Sequence, residues 1–150
     1  EGGYRSGTEA TPAIFGFAAA CTALSATFNA DAAREKALLS HAVSQLSKLD
    51  GLVVNGAHDA PHILSLSVPG VPTQSTINIL QDHGICVSAG SACAKGHRSH
   101  VLSAMGTAPE IIDSTFRVSL CRLNTQEEAD ALVSAIREDI LPRVKPERSK

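Results

Sequence analysis

Two short stretches constrain the fold of this chain more than any other: HILSLSV, residues 62–68, and TFRVSL, residues 115–120. The first from Leu64 onward and the second throughout alternate between apolar and polar residues, the period of a strand with one buried face. Leu64, Leu66 and Val68 fall on one side and Ser65 and Ser67 on the other. Phe116, Val118 and Leu120 likewise oppose Thr115, Arg117 and Ser119. A parallel sheet buried on both faces reads as continuous apolar runs, so the alternation predicts a largely antiparallel sheet covered on one side. LVVN, residues 52–55, and ICVS, residues 85–88, read as two further short strands.

Helical segments surround these strands. Residues 9–27 are alanine-rich, with Pro12 suited to a first helical turn. Asn29 or Asp31 is predicted to cap a second helix, whose Leu38, Ala42, Leu46 and Leu49 recur at helical spacing before Gly51 stops it. Pro72 opens a helix through Ile77, Leu80 and Asp82, closed at Gly84. Ser99 caps the short HVLSAM helix, and a further turn follows Pro109. TQEE, residues 125–128, is a capping box, opening a helix with Ala129, Leu132, Val133, Ile136 and Ile140 on one side. The terminal KPERSK is predicted to fray. The expected class is α+β, two layers, with helices on the apolar face of a mainly antiparallel sheet.

The 150 residues suffice for one core, and 43% hydrophobic against 19% charged residues predicts a globular chain. A formal charge of −2 argues against nucleic-acid and membrane-surface partners, which call for a basic excess. No uninterrupted apolar run is read as reaching bilayer length, and no basic region precedes AIFGFAAACTALSA, the most apolar stretch. Four cysteines (Cys21, Cys86, Cys93 and Cys121) in a chain of this size are expected to be reduced thiols, in keeping with a cytoplasmic setting. The opening EGGYRSGTEATPA has no Met and reads as a cut point rather than a natural start.

Three places could carry chemistry. Cys93 sits in VSAGSACAKGHRSH, where Gly90, Ser91 and Ala92 permit close backbone approach and Lys95, His97, Arg98 and His100 could favour the thiolate, the reactive form. The same residue types also suit a surface loop with an incidental cysteine. Arg117, mid-strand on the polar face, can grip a carboxylate with two parallel hydrogen bonds, or pair with a glutamate across strands. RSGT, residues 5–8, suits either an anion or a turn whose Thr8 caps a helix. Cys86, Cys93, His97 and His100 lie within fifteen residues, but the six residues between the two cysteines fit structural zinc spacing poorly.

RSGTEATPAIFGFAAA, GICVSAGSACAKGHRSHVLSAMG and TFRVSLCRLNTQEEADALVSAI, in this order and spacing, resemble the C-terminal part of NifS/IscS-type cysteine desulfurases, relatives of class V aminotransferases. The resemblance spans essentially the whole chain. It implies the small domain of a fold-type I transferase dependent on pyridoxal phosphate (PLP), with residues 1–28 a linking segment and helix from the large domain and 29–150 the small domain. It implies conversion of L-cysteine to L-alanine with a persulfide left on the enzyme, and sulfur passed to an acceptor or iron–sulfur scaffold protein. Selenocysteine lyase is a close variant. Cys93 stands at the sulfur-accepting position, Arg117 at the carboxylate-binding position, and Thr8 at a contact to the cofactor phosphate across a homodimer interface. The PLP lysine of the family has no counterpart here, so the chain alone is expected neither to bind PLP firmly nor to turn over cysteine, and AIFGFAAA is expected to be exposed. A different class of function stays open at this point: a stand-alone sulfur carrier or zinc-binding module built on Cys93 and the nearby histidines.

Overall fold

A computed structural model describes residues 2–4, 6–57, 59–90 and 98–144. Helix α1, Thr11–Leu46, leads into strands β1, Val53–Asn55, and β2, Ile63–Ser67. Helices α2, Thr73–Asp82, α3, His100–Ala104, and α4, Pro109–Ile112, precede strand β3, Thr115–Ser119. Helix α5, Gln126–Ala135, continues as a π-helical turn, Ile136–Ile140, and a 3-10 turn, Leu141–Arg143. The strands form one antiparallel sheet in the order β1-β2-β3. This is the two-layer α+β arrangement the alternation predicts.

Register sorts the side chains. Leu66 pairs with Val54 on one side and Phe116 on the other, and Leu64 pairs with Val118. On this face Leu38, Leu39, Ala42 and Leu46 of α1, Ile79 and Leu80 of α2, and Ala129, Leu132, Val133, Ile136 and Ile140 from α5 onward close over the strands as one core. The TQEE box forms as read: the Thr125 hydroxyl accepts from the Glu128 amide, and the Glu128 carboxylate accepts from the Thr125 amide. Histidine–carboxylate pairs tie helices together, His41 to Asp130 at 2.7 Å between α1 and α5, and His83 to Asp139 at 3.0 Å between the end of α2 and the π turn.

Four expectations are corrected. The predicted break at Asn29 or Asp31 does not occur, because α1 runs unbroken from Thr11 to Leu46. A cap residue ends a helix only where the chain turns away, and here the packing of Leu38, Leu39, Ala42 and Leu46 continues the register of the exposed part. ICVS does not extend the sheet as a strand; its Ile85 and Val87 pack on the core, and Ser88 alone of the four bridges to β3. The polar face is not uniformly open: Ser67 and Thr115 are buried, because Thr115 donates to the Ile111 carbonyl at the end of α4 while Thr73 Oγ1 reaches the Thr115 carbonyl. Finally, α1 is long and apolar enough to cross a membrane by length and composition, with a mean hydropathy of 1.4 over an 18-residue window. The stretch carries no charge from Thr11 to Ala30, so the uncharged apolar segment extends beyond AIFGFAAACTALSA, which by itself is short and alanine-rich.

The described residues before Asp31 are all exposed, Phe15, Phe17 and Phe28 at 75%, 74% and 58%. AIFGFAAA is thus open, as expected.

Candidate functional site

The site is built on the polar side of the sheet. Arg117 lies in the middle of β3, its side chain exposed between buried Phe116 and Val118. On one edge its backbone exchanges two hydrogen bonds with Ser88: the Arg117 amide donates to the Ser88 carbonyl at 2.7 Å, and the Ser88 amide donates to the Arg117 carbonyl at 3.0 Å. On the other edge it lies opposite Ser65, which lies opposite Asn55. Directly opposed residues share a face, so Asn55, Ser65, Arg117 and Ser88 form one polar row across the sheet.

Among the described residues the Arg117 guanidinium has no hydrogen bond or ion pair, so the cross-strand glutamate pairing is not the one adopted. Two other arginines are committed to partners. Arg34 donates to the carbonyls of Arg122 and Asn124. Arg98 makes a two-pronged pair with Asp113, Nε to Oδ1 at 2.7 Å and Nη2 to Oδ2 at 2.6 Å. This contact, more than the attending Coulomb attraction, holds the Asp113 carboxyl below the usual aspartate range. Sequence reading offered Arg98 as a cation for the Cys93 thiol; the structure commits it instead to Asp113.

Cys93 and His97 lie outside the described residues, as does Lys95. Both flanks of that segment are placed. Ser88, five residues before Cys93, is bonded to Arg117, and Arg98, five residues after, is bonded to Asp113. Five residues span at most about 17 Å of extended chain. Ser99 then caps α3, its hydroxyl accepting from the Leu102 amide. Thr8 is exposed three residues before α1. The first buried residue of α1, Leu38, lies about 40 Å along the helix from Thr11 at 1.5 Å per residue. Thr8 and Arg117 are therefore not brought together within this chain.

Cys21, Cys86 and Cys121 are free and exposed. Among the described residues no three His, Cys, Asp or Glu side chains are grouped as metal ligands would be. A groove of about 390 Å³ runs on the helical side, lined by Leu39, Ala42, Val118, Leu120 and Leu132, with Cys86 at its edge and without Arg117. PLP needs a lysine in a defined pocket. The described lysines, Lys36 and Lys48, are exposed on α1 and just past its end, and neither lines this groove. The described residues do not fit the cofactor by themselves.

The aminotransferase class-V family model matches residues 1–132. The chain belongs to the aminotransferase class-V family. Within this family it is 40% identical over 134 residues to the cysteine desulfurase IscS of Pseudomonas putida, covering 87% of this chain and 33% of that protein. It is 39% identical over the same length to the IscS of Pseudomonas syringae pv. tomato. A solved NifS-like protein superimposes with a TM-score of 0.78 at 34% identity over 91% of this chain and 35% of that one. Another, from Rickettsia africae, does so with a TM-score of 0.77 at 29% identity over 89% and 36%. The chain spans about a third of the length of the curated relatives it matches. The fold is that of the fold-type I class V proteins, and the chain is homologous to a part of cysteine desulfurases.

Sequence reading missed Asn55, Ser65 and Ser88. Their signal is the strand register, which places them beside Arg117 across gaps of about 30 to 60 residues.

Proposed function

We propose that these 150 residues serve as the C-terminal part of a PLP-dependent cysteine desulfurase. Residues 1–28 would link to a large domain and 29–150 act as its small domain. The observation that carries the reading is Arg117: an exposed guanidinium, unpaired among the described residues, on a rigid strand and backbone-bonded to the start of the segment bearing Cys93. A strand holds such a group more accurately than a loop does. Arg117 would bind the α-carboxylate of L-cysteine and so orient its sulfur. The Cys93 thiolate would then attack that sulfur: an S–S bond forms, the carbon–sulfur bond breaks, and the carbon takes up a proton. The products are L-alanine and a Cys93 persulfide, with no external oxidant or reductant.

PLP would be held by residues outside this chain, Thr8 touching its phosphate across a homodimer interface. The apolar first half of α1 would pack on that larger part. The sulfur would pass to an acceptor or iron–sulfur scaffold protein, and the setting would be cytoplasmic. Cysteine is favoured over selenocysteine because the relatives matched are cysteine desulfurases. The comparisons give no support to a stand-alone sulfur carrier or zinc module.

The test is to complete the enzyme by joining the upstream two thirds of the Pseudomonas putida relative to this chain and to measure sulfide released from L-cysteine with an added thiol reductant. Activity that Cys93→Ala abolishes supports the reading. Full activity in Cys93→Ala removes Cys93 as the sulfur acceptor.

A further inference from the structure

We propose that Ser65 is a second substrate-positioning residue, a hydroxyl donor held beside Arg117 for the same carboxylate. This rests on the assignment of the substrate carboxylate to Arg117.

Because both backbone bonds of Arg117 go to Ser88, its pairing with Ser65 on the opposite edge is of the non-hydrogen-bonded kind. In that geometry the Cα atoms approach to about 4.5 Å and the two side chains leave the sheet close together. The donor arithmetic is then specific. Asn55 Nδ2 donates to the Ser65 oxygen at 3.3 Å and to the Ser67 oxygen at 2.8 Å. With its oxygen already accepting from Asn55, Ser65 has one hydroxyl hydrogen to give. Among the described residues that hydrogen has no acceptor, and the row neighbour on the other side is Arg117, whose guanidinium can only donate.

Two donors side by side, both without acceptors among the described residues, call for a group presenting two oxygens. A carboxylate lying across Arg117 and Ser65 satisfies both. Ser67, one step along the strand, shows what a satisfied hydroxyl looks like here: it is buried, accepts from Asn55 and meets Thr115 Oγ1 at 2.7 Å. Ser65 is only half-buried and lacks such a partner. Asn55 acts through Ser65, by fixing which way the hydroxyl points.

The test uses the completed enzyme and two probes that differ only in the carboxylate, L-alanine and ethylamine, with binding read from the cofactor's absorbance. Ser65→Ala is expected to weaken L-alanine about tenfold, the loss of one hydrogen bond to a charged group, and to leave ethylamine within about twofold. Ser65→Thr, which keeps the hydroxyl, is expected to retain most of the affinity. Asn55→Ala is expected to raise KM for L-cysteine about threefold with kcat little changed. Equal weakening of both probes by Ser65→Ala would make the residue merely structural and overturn the proposal. So would an unchanged L-alanine affinity in Ser65→Ala while Arg117→Ala still weakens it. If Arg117→Ala also fails to distinguish the probes, the Arg117 assignment itself falls.

Discussion

The two faces of the sheet come from alternate residues of the same strands, yet they have opposite fates. One step along β3 separates Phe116, fully buried beneath the helices, from Arg117, exposed and without a side-chain partner among the described residues. The row through Phe116 is Val54–Leu66–Phe116; the row through Arg117 is Asn55–Ser65–Arg117–Ser88. The first row holds the fold, since burying a large apolar side chain contributes on the order of 1.5–3 kcal/mol. The second adds little to folding and is free for recognition, but it inherits the rigidity of the first through the shared backbone. That division makes the comparison breakable by single substitutions.

The largest effect is expected from Phe116→Ala. With the side chain sealed between Leu66 and the helical layer, truncation leaves a cavity and should cost about 3–5 kcal/mol. Urea unfolding followed by circular dichroism measures it. A loss below about 1 kcal/mol would show that the apolar row does not carry the fold.

What was legible in the sequence follows the range over which each signal acts. The TQEE box forms because all its partners lie within four residues, and HILSLSV and TFRVSL form strands because alternation is local. Asn29 and Asp31 misled because a cap is a local preference, and the register continued by Leu38 and Leu46 overrides it. ICVS misled because β propensity does not supply a partner; β3 accepts it at Ser88 alone. For the site, Arg117 was legible as the one charge in an alternating strand. Its neighbours Asn55 and Ser65 were not, since nothing in a three-residue window reveals which strands pair. Arg98 was legible as a cation and misread in its partner, because Asp113 lies fifteen residues away.

A smaller effect separates the covered side from the periphery. Asp130 lies below the ordinary carboxylate range, first through its hydrogen bond with His41 and then that with Gln45. Glu128 is lowered by Asn124 and then by the Thr125 backbone, and Asp113 by Arg98. A carboxyl depressed in the folded state adds stability that is complete above its unfolded value, about 3.9 for Asp and 4.3 for Glu, and lost as pH falls through the folded value. The urea midpoint should therefore hold between pH 7 and 5 as far as these groups are concerned and drop on acidification below about pH 4. Asp130→Asn should shrink that drop. The effect should be modest and weakened by salt, since the Asp130 and Asp113 side chains are 46% and 51% exposed and solvent screens them. An acid limb identical in Asp130→Asn would show that the His41–Asp130 tie contributes nothing to folding.

The smallest effect on stability, and the sharpest discrimination, is expected at Arg117. With no partner among the described residues, its truncation to alanine removes no contact that the fold relies on, and the urea midpoint should shift by less than about 0.5 kcal/mol equivalent with an unchanged slope. In the completed enzyme the same change should lower kcat/KM for L-cysteine by roughly 100-fold, as expected when a two-pronged charge-assisted contact is lost. Arg117→Lys should restore only part of it, because an ammonium keeps the charge and loses the planar fork. A variant that unfolds early would mean that the polar row belongs to the fold after all. One that keeps both stability and activity would leave the row exposed but without the recognition role, and would place the carboxylate elsewhere.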